Sequence, residues 1–525
     1  MKTSKKIIAL LLALAILIQT AVYIKAGIDK SYIHMDEAYS LGLASYDKVE
    51  IQDNEDFYNT WHNGEYYEDY LALNDDEMND FSPVYENQKN DVHPPFYYLL
   101  LRVAMIFSPN HFSKWGGIVI NIIIYAFITI FTYLILTKLF GDKPQYKKLA
   151  VVLAFASSIT LASLTNVIYV RMYALAALNI LIITYLHMKL YEKYSKSTLA
   201  LIGLSALVGS LTHYFFLFYL AMLFVIMIIH FARNKEKRQI LWYVVTLVLA
   251  AIASLAIFPY SIQHMFFGYR GDGVISKLTD FSNFPKILAD IFEYLKIIHF
   301  FTFNNVLAIM LLIMIGVGIY RKVKKTKQKV EISKYFKLLL APTIFYTLLV
   351  AISSPWIELR YIAPVCTMIF VMLFYLMWKL LRSVSRDKIA NLTVCMLLVI
   401  MVVLPIIIHA EPQVAYSDKR EIVQQLSGEL NVPTVFWFNS NENRFLDDIL
   451  LFSLLDESYV AKDAEMSSKN INNILAGKDL SKGIILFING GQENDEITSA
   501  FLDATTLDTV TYLKRMNACD IYYLK

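Results

Sequence analysis

The chain has 525 residues, 57% of them hydrophobic and 18% charged, with a formal net charge of +3 and a mean hydropathy of +0.46. Soluble domains run nearer ~45–50% apolar and ~25% charged, which excludes an ordinary soluble protein and indicates a polytopic membrane protein. Cys366, Cys395 and Cys519 are too few and too scattered for a disulfide framework or a zinc motif.

The N-terminus "MKTSKKIIALLLALAILIQTAVYIKAG" has the basic start and apolar stretch of a signal peptide. It lacks a clean A-x-A cleavage site, and its apolar run from Ile7 to Ile24 can span a bilayer. It is read as a retained helix that delivers the chain beyond Gly27 to the outside. Eleven spans are predicted in chain order: 7–26, 117–140, 149–165, 169–190, 198–212, 214–231, 239–258, 300–320, 337–354, 361–381 and 391–409. The block 149–190 would be about 63 Å long as one helix, so a turn is predicted near Asn166–Arg171. A second turn is predicted at Thr212-His213-Tyr214, because 199–231 would be about 50 Å long. Phe96–Phe107 follows Pro94-Pro95 and is too short to span; it reads as interfacial or re-entrant.

Charge fixes the sidedness. Eleven spans with an inside N-terminus place the lysine- and arginine-rich loops inside, among them "RKVKKTKQKVEISKYFK" with eight basic residues and one acid. The outside pieces are acidic. Segment 27–92 carries 17 acids against three lysines, and 411–525 carries 18 acids against 10 bases. The expected domains are therefore 1–410, transmembrane with a large extracytoplasmic loop at 27–116, and 411–525, extracytoplasmic. In the latter, 432–438, 483–489, 509–514 and 519–524 read as strands, with helix-like stretches around 443–455, 467–476 and 492–503. That pattern predicts a small α/β domain. Gly490-Gly491 reads as a turn, since the rest of a dinucleotide fingerprint is absent.

Ionisable residues at the ends of spans mark a candidate site. The outer ends carry Asp36 and Glu37, then Asp91-Val92-His93-Pro94-Pro95, Arg102, Arg171, His213, and Glu358-Leu359-Arg360-Tyr361. Singly, each has a plainer reading. Asp36-Glu37 suits a solvated helix start. Asp91-x-His93-Pro94-Pro95 breaks one element and opens a helix. Arg171 could snorkel to a lipid phosphate, His213 could sit satisfied in its turn, and Arg360-Tyr361 could anchor an interface.

As an ordered set they say more. "DEAYSLGLASYD", "DVHPPFYYLLLRV", "YVRMYALAAL", "THYFFLF" and "ELRYIAPV" together resemble the GT-C membrane glycosyltransferases over roughly residues 1–410. The nearest branch is the family 39-like enzymes that use polyprenyl-phosphate sugars, related to protein O-mannosyltransferases and aminoarabinose transferases. The resemblance implies a GT-C-like fold with juxtamembrane helices in the first loop, one of them after His93-Pro94-Pro95. It implies that Asp36 corresponds to the acid of that loop that acts as base or binds a metal, and that Arg171 lies near the donor phosphate. A divalent metal at Asp36 and Glu37 stays open, since relatives differ.

The chemistry converges on the same expectation. Outside a cell there are no nucleotide sugars, so an activated sugar must arrive on a lipid, with phosphate as leaving group. Such a transferase needs a base for the attacking hydroxyl and cations for the departing phosphate. Asp36 is the expected base. Glu37 is expected as metal ligand, acceptor positioner or alternative base, because adjacent residues do not share a helix face. Arg171, backed by Arg360, Arg102 and His93, is expected at the phosphate. Asp91, Tyr97, Tyr98, His213 and Tyr361 are expected to line the substrate or its roof. The acceptor would be a hydroxyl on a cell-surface glycan, lipid or protein; nucleic acid is not an expected partner. A transporter, a flippase, or a ligase for a lipid-linked glycan is the alternative.

Overall fold

The computed structural model describes residues 2–48, 50–267, 273, 277, 284–326, 329–438, 444–489 and 494–525. The turn expected at Gly490-Gly491 lies outside the described residues. The chain forms two compact units. One comprises Met1–Gly27, Asp91–Tyr97 and Gly117–Gln413; the other comprises Ile28–Asn90, Tyr98–Gly116 and Val414–Lys525.

The first unit is helical, and the protein is a multi-pass membrane protein. Among the described residues, seven helices are long and apolar enough to cross a bilayer, and two bent helix pairs raise the number to nine. The other two expected spans are helices as well, Lys196–Ser210 and Lys337–Ser353, of 15 and 17 residues. Phe96–Met105 has only ten residues, so it is a short helix and not a span. Tyr173–Glu192 and Leu359–Arg382 are central, with 83% and 78% of their apolar windows buried, against 17% for Lys237–Ile257. Lipid tails are as apolar as leucine, so close packing and satisfied polar groups must hold such helices together. Ala174 and Ala177, three residues apart and buried, give Tyr173–Glu192 a close-packing face. Polar pairs join the helices: Thr184 Oγ1 donates to Tyr219 Oη at 3.0 Å, and Thr129 Oγ1 donates to Gln19 Oε1 at 2.8 Å.

Both bends have a local cause. Pro144–Ser158 and Leu161–Ile168 meet at 57°, where Thr160 Oγ1 caps the second helix by accepting from Ser163 N. The other pair, Pro285–Thr302 and Leu307–Val323, meets at 101°. There Asn304 and Asn305 take φ of 46° and 67°, a left-handed conformation that asparagine tolerates and helices do not. The span expected from residue 300 therefore starts at Leu307. Asn304 ties the two breaks together, accepting from Leu161 N at 3.2 Å and donating to Met401 O at 2.8 Å.

Gly117 marks a tight approach beside Arg171. A Cβ there would lie 2.2 Å from Val170 Cγ1, beside Arg171. Valine is stiff at χ1 and cannot yield cheaply. Gly117→Ala is expected to destabilise by about 1–3 kcal/mol, seen as a lower midpoint of thermal unfolding in detergent; an unchanged midpoint would show that the contact relaxes.

The second unit is built on a six-stranded sheet. Its strands are β1 (Trp61–His62), β2 (Thr434–Phe438), β3 (Ser458–Lys462), β4 (Ile484–Asn489), β5 (Val510–Met516) and β6 (Cys519–Leu524), in the order β1-β3-β2-β4-β6-β5. The central strands β3, β2 and β4 are parallel, while β1, β6 and β5 pair antiparallel. All six residues of β4 are buried, as expected of a strand covered on both faces. Ile471 and Ile474 of Ser468–Ile474 and Phe501 of Asn494–Asp503 pack with Val435, Leu486 and Ile488. β2, β4, β5 and β6 occupy the stretches expected as strands. β3 and β1 were not expected, and β1 comes from the first loop, where Trp61 Nε1 also donates to Ile474 O at 2.7 Å.

Asp448 lies fully buried in this unit, with Oδ1 accepting from Asn517 Nδ2 at 2.6 Å. Burial and the nearby Asp447 push its carboxyl up to about 8, against the help of Asn517 and Lys419. The folded chain then holds this proton more tightly than the unfolded chain, whose carboxyl titrates near ~3.9. Stability from this group is present at low pH and is lost as pH rises toward about 8. Asp448→Asn is expected to flatten that decline in unfolding midpoints across the range; an unaltered slope would contradict the assignment.

Candidate functional site

Asp36 and Glu37 open the helix Met35–Ser45 in the second unit. His34 is its N-cap, with Nδ1 accepting from Asp36 N at 3.0 Å and its own N–H donating to Glu37 Oε2 at 2.8 Å. This is a capping box with histidine in place of serine or threonine. Because Nδ1 accepts, the ring proton of the neutral imidazole lies on Nε2. The two acids part company at this point. Glu37 is fully buried, and its Oε2 also accepts from Lys30 Nζ at 2.9 Å. The Asp36 carboxylate is 19% exposed, with Oδ2 3.7 Å from His34 Nδ1. Sitting in the first turn, it faces the positive end of the helix dipole, which favours its ionised form.

Arg102 holds the other end of the same helix. Its guanidinium is fully buried and donates to Ala44 O at 2.8 Å, Ser45 O at 3.1 Å and Glu77 O at 2.9 Å. The first two bonds satisfy carbonyls that the C-terminus of Met35–Ser45 leaves open. Gly42 lets Tyr70 lie directly on the helix, where a Cβ would be 2.1 Å from Tyr70 Cζ. Tyr98 is fully buried in this unit.

In the first unit, loop residues from four predicted outer ends come together. Phe96 N donates to Leu211 O at 3.1 Å, joining the segment after Pro94-Pro95 to the turn at His213. His93 donates from Nδ1 to Asp91 Oδ2 at 2.8 Å. The His213 ring lies 6.5 Å from that of His93 and 5.6 Å from that of Tyr173. Tyr169 stacks on Tyr173, and Arg360 Nη1 donates to Tyr169 Oη at 3.2 Å. Tyr361 reaches Tyr173 and Phe215 at 6.4 and 6.2 Å between ring centroids. Arg171 is 5% exposed, and Tyr97 is fully buried.

The electrostatics separate the roles. Burial raises the Asp91 carboxyl, but His93, its hydrogen bond and Arg171 outweigh that and hold it below the usual carboxylate range. Burial, His93 and Arg171 push His213 down to about 3. His213 is thus neutral at physiological pH; Nδ1 accepts from Phe215 N at 3.1 Å, leaving the proton on Nε2. The fixed cations here are Arg171 and Arg360. Arg360 stands 2.8 Å from Glu358 Oε2 and over the rings of Trp356 and Tyr361. Burial raises the Glu358 carboxyl, so that pair is weaker than its distance suggests.

Among the described residues, no three His, Cys, Asp or Glu side chains converge as a metal would require. Sequence reasoning missed Lys30 and Asn121. Lys30 is a rare base in an acidic segment, a signal that was visible. Asn121, the polar interruption of an apolar span, donates to Val167 O at 3.1 Å and Tyr169 O at 2.9 Å, fixing the chain just before Arg171.

No protein-family model and no curated protein matches the sequence. Solved structures do. ArnT from Cupriavidus metallidurans bound to undecaprenyl phosphate matches with a TM-score of 0.50 and 9% identity, over 97% of each chain. The archaeal oligosaccharyltransferase AglB from Archaeoglobus fulgidus, in complex with an inhibitory peptide and a dolichol-phosphate, matches at 0.44 and 11% identity. It covers 92% of this chain and 69% of that one. The ArnT likeness covers nearly the whole of both chains and shows that they share a fold.

Proposed function

We propose that this protein is a membrane glycosyltransferase that moves a sugar from a polyprenyl-phosphate donor to a hydroxyl acceptor at the outer face of the cytoplasmic membrane. The observation that carries this reading is the cluster in the first unit. Arg171, Arg360 and the neutral donor His213 gather with Asp91–His93 where apolar helices end. Such a set suits a phosphate whose tail lies in the bilayer. ArnT, which shares the fold, is seen bound to undecaprenyl phosphate.

The acceptor oxygen attacks the anomeric carbon, and the bond from that carbon to the donor phosphate oxygen breaks. The electron pair leaves with the phosphate, and the acceptor proton passes to the Asp36 carboxylate. Arg171 meets the developing phosphate charge through its planar fork, with Arg360 as a second cation. His213 offers an N–H that adds no charge. Asp91 fixes the tautomer and orientation of His93, as a carboxylate does in histidine dyads. Glu37, Arg102 and Tyr98 serve the helix that carries Asp36, while Tyr97 and Tyr361 supply ring surface for substrate. A single displacement inverts the anomeric centre.

A lipid transporter would place functional charges near the bilayer midplane. In the seven long apolar helices the Asp, Glu, Lys and Arg side chains among the described residues lie near the ends. Sidedness tests the proposal. In proteoliposomes, transfer is expected only with acceptor on the face where protease reaches residues 414–525. Transfer confined to the opposite face would overturn it.

A further inference from the structure

Lys30 is a buried amine that the reaction itself does not use. It is 1% exposed, and its Nζ donates to Glu37 Oε2 at 2.9 Å and to Val414 O at 2.7 Å. One ammonium thus joins the N-terminal turn of the Asp36 helix to the first residues of the C-terminal segment. Burial lowers its affinity for the proton, and Glu37 restores part of it. The contact does not stand alone. Ser31 N donates to Ala415 O at 2.8 Å, and Arg420 donates to Asp29 O at 2.8 Å and Ser31 Oγ at 3.0 Å.

The link continues into the sheet. Val414 and Tyr416 adopt φ of 59° and 53°, which turns the Tyr416 ring to lie between two lysines. Lys419 Nζ is 3.9 Å from its centroid and Lys30 Nζ 5.9 Å. Lys419 also donates to Asn517 Oδ1, and Asn517, at the turn between β5 and β6, donates to Asp447 O at 2.9 Å and Asp448 Oδ1 at 2.6 Å. A chain of hydrogen bonds and cation–ring contacts, partly buried, runs from Glu37 through Lys30, the Tyr416 ring and Lys419 to the β5–β6 hairpin.

We infer that Lys30 is a positioning residue, through which the C-terminal domain sets where the Asp36 helix begins. The inference rests on Asp36 acting as the base. A capping box can slip or fray when its acid loses its place, and Asp36 lies one residue from that acid. Fixing Glu37 to a backbone carbonyl of the C-terminal segment fixes the rotation of the first turn and the direction of the Asp36 carboxylate. The C-terminal domain is then part of the catalytic apparatus and not a detachable module.

Lys30→Met keeps the length of the side chain and removes both bonds. It is expected to lower kcat by about 10- to 100-fold, the usual cost of misplacing a reacting group, with the donor KM unchanged. Because it takes the cation away from the buried Glu37 carboxylate, which is strongly destabilising, the double variant Lys30→Met/Glu37→Gln is measured beside it. In the double variant no uncompensated charge remains, yet the tie to Val414 is still missing, so kcat is expected to stay low. Recovery of wild-type kcat in the double variant would overturn the inference, since Lys30 would then only neutralise Glu37. Wild-type kcat in the single variant would overturn it too. If Asp36→Asn itself retains transfer, the base assignment fails first, a result separable from both.

Discussion

Asp36→Asn is expected to lower kcat by about 10²–10⁴-fold, the range a positioned general base contributes, with expression, membrane insertion and donor affinity retained. Asparagine keeps the size and the first-turn position of the side chain but cannot take a proton. The His34–Glu37 capping box does not use the Asp36 carboxylate; its bonds run from His34 N to Glu37 and from Asp36 N to His34. The helix start should therefore survive the change, and lost activity would report lost chemistry. Steady-state kinetics with an intact unfolding midpoint make the check. Near-normal turnover would remove Asp36 from the role of base.

Arg171 carries the second large effect. Arg171→Ala is expected to lower kcat/KM for the lipid donor by about 10²-fold or more, in line with the loss of a partner to a desolvated charge. Arg171→Lys should recover only part, because an ammonium cannot reproduce the guanidinium fork. The side chain is nearly buried, and Asn121 and the Gly117–Val170 contact fix the chain that carries it. Its removal should also let the Asp91 carboxyl rise, because Arg171 is one of the charges that hold it down. The acidic limb of the activity profile should then move to higher pH. An Arg171 that only reached lipid headgroups would leave the donor dependence unchanged.

The membrane-spanning part was legible in the sequence because lipid accepts only long apolar helices, and such runs announce themselves. Each expected span is a helix, including the two short ones and the two that bend. The start at Leu307 was not legible, since nothing local in "FTFNNV" favours a break over a polar patch until Asn304 finds Leu161 and Met401. The strands β2, β4, β5 and β6 were legible from their apolar and β-branched runs. β1 is two residues long and forms only because β3 is there to pair with it.

The candidate site shows the same division. Adjacent residues on a helix point apart, so the splitting of Asp36 from Glu37 could be read from spacing alone. What buries Glu37 could not, because Lys30 and Val414 are 384 residues apart. Arg102 was expected at the donor phosphate from its charge and its place after two prolines. The structure gives its guanidinium three backbone carbonyls, and sequence offers no sign of carbonyls arriving from 25 to 58 residues away.

The central claim is that the donor is a sugar on a lipid phosphate. The most direct measurement incubates the purified full-length chain with a panel of polyprenyl-phosphate sugars, and in parallel with nucleotide sugars, while free polyprenyl phosphate and glycosylated acceptor are quantified together. The account predicts that at least one lipid-linked sugar is consumed, with one polyprenyl phosphate released per hydroxyl glycosylated, and that no nucleotide sugar is used. Use of a nucleotide sugar, or movement of the lipid-linked sugar across the bilayer with no bond broken, would contradict it.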